Sequence, residues 1–472
     1  MGALIKKTCS FPGKLIYRTS YQGEDCSPRE EWMGVYFQGE KIGYVKTSVE
    51  KKNDNYRIKE EIFLQLLMMG SCKRVNFITD SRVNEDFSLK SFDFSLRSGL
   101  INFRATGEIV ENKLLIRVIN NDEIIEEVIK FLGVPYLSSG IPPLIARGGL
   151  KIGRKYSLPI FDPSSFTLKN FTAEVEAKEK ITINNKMMDS CRIKNSFEGI
   201  AYYSWINNRG ERLKENGHLG LSLIKESRDT ALEENWERES LVDLIELSKI
   251  TPNTRIANTD KLKSLTVRLN NINFNNFAIN KQRQRLENDV LEIKQEDIRQ
   301  VKSFSIPYRG DKHQCFLSST PLIQSSSSKL TMKADSIIED ERDALKSVRL
   351  ILKWVFENIK KKPILSIPSA LAILKLGEGD CNEHAVLFTS LCRAVGIPTK
   401  ICLGITYSEG SFYYHAWSEV YLNPWISIDP TLNQFPADPT HIKFVEGNLA
   451  SQQKMVNIMG KLGIEVLEYQ SH

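Results

Sequence analysis

The chain is predicted to fold as an α+β protein, with antiparallel β-rich structure first and a mixed domain of helices and strands last. Across residues 32–227, apolar and polar residues alternate in short runs separated by turn residues, which is the pattern of half-buried strands. Over residues 332–362 the spacing becomes helical, and the apolar residues of 345–355 share one face. Strands followed by helices that alternate with further strands indicate the α+β class.

A second helix is predicted to begin at Cys381. Asp380 is a favourable N-cap residue and Glu383 stands three positions later, so the two form an Asp-led capping box. Gly396 and Pro398 are the residues expected after a helix C-terminus. The free N–H groups of the first turn favour a thiolate at Cys381, whereas the adjacent Asp380 carboxylate disfavours it. An activated cysteine here therefore needs a cationic partner.

Two short strands broken at an Asn–Pro turn offer that partner. His415 lies on the first strand and Asp429 on the second. If Tyr421 pairs with Trp425 across a three-residue turn, His415 and Asp429 share one face and lie on a diagonal. A two-residue turn would place them on opposite faces. A cysteine–histidine–aspartate site therefore requires an odd loop or a bulge in this hairpin.

These motifs together resemble the transglutaminase-like superfamily of papain-related cysteine enzymes, in the form of a bacterial transglutaminase-like domain protein. The resemblance rests on GDCxE at a helix start, LFTSLCRAVGIPTK, HAWSEVY and WISIDPT, in this order, and covers about the last 140 residues well. It implies a papain-like fold in which the 332–362 helix packs beside the cysteine helix. It also implies a catalytic triad, with Cys381 as nucleophile, His415 as base and then acid, and Asp429 as the group that orients His415.

The resemblance implies attack of the thiol on an amide or isopeptide carbonyl, through a thioester intermediate. Transfer of the acyl group to water would make the protein a protease or amidase, and transfer to an amine would make it an acyltransferase. The expected substrate is a peptide or protein, at a glutamine side chain or a peptide or isopeptide bond, and hydrolysis is slightly favoured. The alternative is a catalytically silent module that binds a peptide or envelope partner, with the N-terminal β domain binding an apolar ligand or polymer.

Aromatic residues and histidines near the motifs are assigned to the substrate cleft or to the core. Trp417, Tyr414 and Trp425 are candidates for the substrate cleft, and the two tryptophans fit a core position as well. His384 shares the helix face of Cys381 and is interpreted as a buried structural histidine, as is His441. No calcium loop is recognisable, so no metal and no cofactor are predicted.

The sequence divides into five predicted segments. These are a flexible leader (1–29), an antiparallel β-rich domain (30–230), a helix with a linker (231–254), a small β-rich accessory unit (255–328) and the catalytic domain (329–472). The predicted helix of the third segment covers Leu232 to Leu247. A Gly- and Pro-rich stretch near 135–165 either splits the β-rich domain into two lobes or crosses one curved sheet.

Charge and hydropathy exclude some classes of function. The net charge of +6 is small for 472 residues and the one basic run is Lys360–Lys362, so nucleic-acid binding is not indicated. No stretch approaches the ~20 apolar residues of a membrane span. The apolar part of the first residues is too short for the hydrophobic region of a signal peptide. The sequence therefore predicts a cytoplasmic protein, or an extracytoplasmic one if the start of the chain is truncated. The oligomeric state stays open.

Eight cysteines are scattered through the chain without CxxC pairs. Cys392 and Cys402 are predicted to be buried small hydrophobic residues. A disulfide between Cys72 and Cys191 stays open.

Overall fold

The computed structural model describes residues 28–68, 70–99, 101–120, 123–131, 133–197, 199–233, 243–274, 277–367, 369–447, 453–456 and 458–471. Almost all of the predicted leader lies outside these residues. The chain divides into two compact units, and the division falls between Asp243 and Leu244. No helix among the described residues is both long enough and apolar enough to span a membrane.

The described residues of the first unit build one antiparallel sheet of fourteen strands. In chain order the strands are β1 (Arg29–Phe37), β2 (Glu40–Lys52), β3 (Asn55–Met68), β4 (Ser71–Asn84), β5 (Leu89–Ser98), β6 (Ile101–Val110), β7 (Lys113–Asn120), β8 (Glu123–Lys130), β9 (Lys155–Asp162), β10 (Thr167–Ile183), β11 (Lys186–Phe197), β12 (Ile200–Ile206), β13 (Arg212–Asn216) and β14 (Leu221–Glu226). Their spatial order is β8-β7-β6-β5-β4-β3-β2-β1-β14-β13-β12-β11-β10-β9. The first and last strands therefore pair in the middle of the sheet.

The segment between β8 and β9 does not separate two sheets. It carries a short helix, α1 (Ile141–Arg147), which packs Ile141 and Ile145 into a core shared with β9 to β12. Strands on both sides of this segment belong to the same sheet. The stretch near 135–165 thus connects strands of one sheet.

The predicted helix from Leu232 to Leu247 is found only in fragments. Helix α2 (Arg228–Leu232) is capped by the Ser227 side chain, and α3 (Leu244–Leu247) is a single turn. The middle of the predicted helix lies outside the described residues.

The second unit holds the remaining strands and helices of the described residues. The strands are β15 (Leu262–Asn270), β16 (Gln284–Glu287), β17 (Val290–Lys294), β18 (Lys360–Lys361), β19 (Glu378–Gly379), β20 (Thr399–Ser408), β21 (Ser411–Tyr421), β22 (Trp425–Ile428), β23 (Ile442–Gly447) and β24 (Gly463–Ser471). The helices after α3 are α4 (Ser328–Ile338), α5 (Ala344–Asn358), α6 (Ala370–Leu376), α7 (Cys381–Ala394) and α8 (Gln453–Val456).

Strands from the predicted accessory unit (255–328) and from the predicted catalytic domain (329–472) share one sheet. One four-stranded sheet has the order β16-β17-β15-β24, and β24 pairs with β15 along its length. The accessory strands and the last strand of the chain are thus one sheet within one compact unit. A second four-stranded sheet, β22-β21-β20-β23, packs β20 and β21 against α7.

The helix predicted over 332–362 is divided in two. Helix α4 ends at Ile338, where Glu339 adopts a positive φ of 51°, and the Asp343 carboxylate caps α5 by accepting the Lys346 N–H. The predicted core face of α5 is confirmed, since Val348, Leu352 and Val355 are buried. As expected, α5 packs beside α7.

Candidate active site

The start of α7 has the predicted capping box. The Asp380 side chain accepts the N–H of Asn382 (2.8 Å), and the Glu383 carboxylate accepts the N–H of Asp380 (2.9 Å). At the other end Gly396 takes a left-handed φ of 82°, as a C′ glycine does. Cys381 is therefore the first residue of the helix, and its N–H has no acceptor inside the helix.

The Cys381 side chain is half-buried and lies against β21. Burial raises the pKa of its thiol well above the ordinary value of 9.0, and the Asp380 carboxylate raises it further. The Ala416 main-chain N–H donates to the sulfur and opposes these effects only in part. Burial and Asp380 therefore oppose the effect of the helix terminus, which favours the thiolate.

The predicted hairpin register is present. Tyr421 pairs with Trp425 across a three-residue loop, and the ladder continues to Ser418 opposite Ile428. Asp429 follows directly and is fully buried. His415 Nε2 lies 2.7 Å from Asp429 Oδ2, so the odd loop brings the two side chains together.

Asp429 has hydrogen-bond donors on both carboxylate oxygens. Oδ1 accepts the N–H of Thr431 (2.7 Å) and of Leu432 (3.0 Å), and Oδ2 accepts from His415 and from His441 Nε2 (2.9 Å). Burial acts to raise the Asp429 pKa, but the two histidines outweigh it and hold the pKa well below its usual range. Asp429 is therefore a fixed anion.

His441, interpreted from the sequence as a buried structural histidine, contacts Asp429. It is fully buried, and its Nδ1 lies 3.3 Å from Asp438 Oδ1 while its Nε2 contacts Asp429. Burial acts to lower the pKa of His441, yet the carboxylates of Asp438 and Asp429 raise it from 6.5 to about 9. The ring is thus a cation between two acids. Its only sequence signal is a position just before the apolar run of β23, which does not separate it from a structural histidine.

Gly404 makes the approach of β23 to the site possible. It lies opposite His415 in the β20–β21 ladder. A Cβ at this position would come within 1.9 Å of the Ile442 carbonyl oxygen and 2.9 Å of the Trp417 ring. Because Ile442 follows His441 directly, a side chain here would push His441 away from Asp429.

His415, Asp429 and His441 are also close enough to share a metal ion, with one ligand atom of each lying within 4.8 Å of the others. Both contacting imidazole nitrogens already face the Asp429 carboxylate. A metal would have to displace these hydrogen bonds and occupy His415, the proposed base.

The other sequence candidates occupy different surroundings. Trp417 is fully buried, with its ring centroid 5.3 Å from that of His441, so it lies in the core and not on an accessible cleft wall. Tyr414 donates its hydroxyl to Asn382 Oδ1 (3.0 Å), next to Cys381. Trp425 is half-buried with Lys400 over its ring. Both ring nitrogens of His384 face main-chain carbonyl oxygens, as a structural histidine does.

The cysteines of the described residues are free. Cys392 and Cys402 are fully buried, as predicted. Cys72 is exposed and Cys191 is buried, and both are unpaired, so the disulfide left open between them is absent. Cys9 and Cys26 lie outside the described residues.

Comparison with known proteins adds the following. Residues 331–430 match the family model described as the transglutaminase-like superfamily. A solved chain from Cytophaga hutchinsonii, described as a "Putative Cysteine Protease", is similar with a TM-score of 0.30 and 17% identity, over 45% of this chain and 86% of that chain. A beta-barrel-like protein of a domain of unknown function from Brucella abortus is similar with a TM-score of 0.34 and 10% identity, over 42% of this chain and 96% of that chain. No curated protein matches the sequence.

The family match covers Cys381, His415 and Asp429 together with α5, α7 and β20 to β22. The resemblance drawn from the motifs is thereby confirmed for this part of the chain. Residues 331–430 are similar to the transglutaminase-like superfamily.

Proposed function

We propose that the protein cleaves or transfers an amide or isopeptide acyl group through a thioester on Cys381, with hydrolysis slightly favoured. The observation that carries this proposal is the 2.7 Å hydrogen bond between His415 Nε2 and Asp429 Oδ2, beside a strand N–H that contacts the Cys381 sulfur. Because Nε2 faces Asp429, Nδ1 is the nitrogen left for proton exchange with the thiol. The paired His415 and Asp429 support the roles of base and orienting acid beside Cys381 as nucleophile.

Because the pKa of the Cys381 thiol is raised, we place the loss of its proton in the same step as its attack on the substrate. The proton passes to His415 Nδ1 as the sulfur bonds to the substrate carbonyl carbon, and the carbonyl electron pair moves to oxygen. The resulting oxyanion faces the Cys381 N–H at the positive end of α7. His415 then returns the proton to the departing amine or ammonia, which leaves the thioester for attack by water or by a second amine.

His441 acts as a positioning residue in this scheme. It shares Oδ2 of Asp429 with His415, and it donates on its other side to Asp438. The carboxylate is thus held from three directions: by the two histidines and by the N–H groups of the following turn. A carboxylate that cannot rotate fixes the plane and the tautomer of His415.

A thiol-directed electrophilic peptide probe tests the nucleophile. The full chain, with Cys72 and Cys315 changed to serine to remove two exposed thiols, is labelled and the modified peptides are identified by mass spectrometry. We expect Cys381 to be labelled faster than Cys392 or Cys402, and His415→Ala to slow its labelling. Equal labelling of the three thiols, or no effect of His415→Ala, would contradict the proposal.

A second experiment separates hydrolysis from transfer. The protein is incubated with a glutamine-containing peptide and a labelled primary amine, and the products are resolved by mass. Accumulation of free acid supports a hydrolase and accumulation of the conjugate supports a transferase, with Cys381→Ala as the control that must abolish either product. Peptide binding without turnover, retained in Cys381→Ala, would favour the silent binding module instead.

A further inference from the structure

The first unit contains a cavity of about 250 Å³ that has no part in the chemistry above. It lies between α1 and the strands β9 to β13, within one compact unit. Ile145, Ile160 and Phe171 are among the apolar residues that line it. A cavity of this size fits a small molecule.

Polar side chains gather on one wall of the cavity. Asn195 of β11 pairs with Tyr202 of β12, and Ser204 of β12 pairs with Glu215 of β13. Asn195 donates to the Ser204 hydroxyl at 2.9 Å, so these residues form one continuous polar cluster. Most of the other lining residues are apolar, and the cavity is therefore amphipathic.

Glu215 is the unusual member of this cluster. Among the described residues, no donor forms a hydrogen bond with its carboxylate, and none pairs with the Tyr202 hydroxyl. Burial raises the pKa of Glu215, and the Arg212 guanidinium opposes this rise only in part. Glu215 is partly buried and lines the cavity, so its carboxylate can accept hydrogen bonds from a molecule that enters it.

Arg212 does not serve as that donor because it is engaged elsewhere. Its Nη2 lies 2.7 Å from Glu60 Oε2 and 2.9 Å from Thr47 Oγ1. The Glu60 carboxylate neutralises the guanidinium, so Glu215 supplies the surplus charge on this wall. That surplus attracts a cation and repels an anion.

We propose that this cavity binds a small amphipathic cation, with an ammonium or similar donor group at Glu215 and Tyr202 and an apolar body against Ile145, Ile160 and Phe171. The ammonium donates to the Glu215 carboxylate and lies beside the aromatic ring. The apolar body displaces water from the remaining surface of the cavity. The site is independent of the reaction proposed for Cys381.

Isothermal titration calorimetry of the full chain with three six-carbon probes tests this assignment. The probes are hexylammonium, hexanol and hexanoate, which share an apolar body and differ in the head group. We expect hexylammonium to bind roughly tenfold more tightly than hexanol, and hexanoate to bind most weakly. Absence of saturable hexylammonium binding, or hexanoate binding at least as tight, would overturn the proposal.

Two variants locate the binding. Glu215→Gln keeps the shape of the side chain and is expected to weaken hexylammonium about tenfold while changing hexanol less than about twofold. Tyr202→Phe removes only the hydroxyl and should weaken hexylammonium by a smaller factor. Glu108→Gln, at an exposed acid of the same unit, is the matched control. Unchanged hexylammonium binding in both cavity variants would place the ligand elsewhere and refute the site.

Discussion

Asp429 and Glu215 are two carboxylates, one in each compact unit, and they differ in burial and in what surrounds them: Asp429 is fully buried, whereas Glu215 is partly buried and lines a cavity. Asp429 accepts hydrogen bonds from two histidines and two main-chain N–H groups, whereas no described residue donates to Glu215. Their pKa values accordingly shift in opposite directions, down for Asp429 and up for Glu215. The Asp429 carboxylate receives its hydrogen bonds from the protein itself, whereas the Glu215 carboxylate can still accept hydrogen bonds from a ligand.

The largest expected effect is a loss of enzymatic turnover, which we attribute to the second unit alone. Cys381→Ala should lower turnover of a glutamine or isopeptide substrate by roughly 10⁴-fold or more, because no other group supplies the covalent intermediate. Cys402→Ala, at a buried thiol in the same unit, should retain activity. Product formation is measured by mass spectrometry. Substantial turnover in Cys381→Ala would assign the activity to another part of the chain.

The next effect concerns stability and compares the two carboxylates directly. Asp429→Asn should destabilise its unit by about 3 kcal/mol or more, since it leaves the buried His441 cation without one of its anions. Glu215→Gln should change stability by less than about 1 kcal/mol, since it removes a charge that has no hydrogen-bond partner. Hydrogen exchange resolved by peptide reports each unit separately. Equal losses would mean that the two carboxylates do not differ as described.

His441 makes the stability of its unit depend on pH in the alkaline range. Its folded pKa is raised from 6.5 to about 9, so its stabilising charge is fully present below pH 6.5 and is lost as pH rises through 9. We expect the free energy of unfolding of this unit to fall by on the order of 3 kcal/mol across that interval. His441→Gln should remove most of the dependence. Urea unfolding between pH 6.5 and 9.5 provides the measurement, and a flat profile in the parent protein would contradict the assignment.

The smallest effect compares packing at the two sites. Gly404→Ala places a methyl group against the Ile442 carbonyl oxygen, so it should cost about 1–3 kcal/mol and slow any turnover that depends on His415. Ser204→Thr adds a methyl group beside the cavity and should cost less than about 1 kcal/mol. Thermal unfolding of the two variants compares them. A larger cost at Ser204 would show that the cavity is closed to added volume.

The parts of the fold predictable from sequence are those fixed by neighbouring residues. The capping box at Asp380 and Glu383 involves side chains three positions apart, and the loop length after Tyr421 fixes the register that joins His415 to Asp429. The break before Ala344 also had a local signal, since Asp343 is a favourable N-cap residue, yet the helical spacing on both sides masked it.

The features that escaped prediction depend on distant parts of the chain. His441 reaches Asp429 only because β23 pairs with β20, and that pairing needs Gly404. The continuity of the fourteen-stranded sheet depends on β1 meeting β14, which are about 190 residues apart. No short sequence motif predicts either pairing, because the choice of strand partner depends on burial over the whole sheet and not on adjacent residues.

The pairing of β24 with β15 has a consequence for the order of folding. Leu262 meets Ser471 and Asn270 meets Gly463, so strands about 200 residues apart complete one sheet. Contacts of such high sequence separation form slowly, because a long loop must close before they stabilise the structure. Residues 262–270 are synthesised long before their partner strand, so the second unit can finish folding only after residue 471 is available. Until then β15 lacks its β24 neighbour, and the nascent chain carries an incomplete sheet that can pair with other chains.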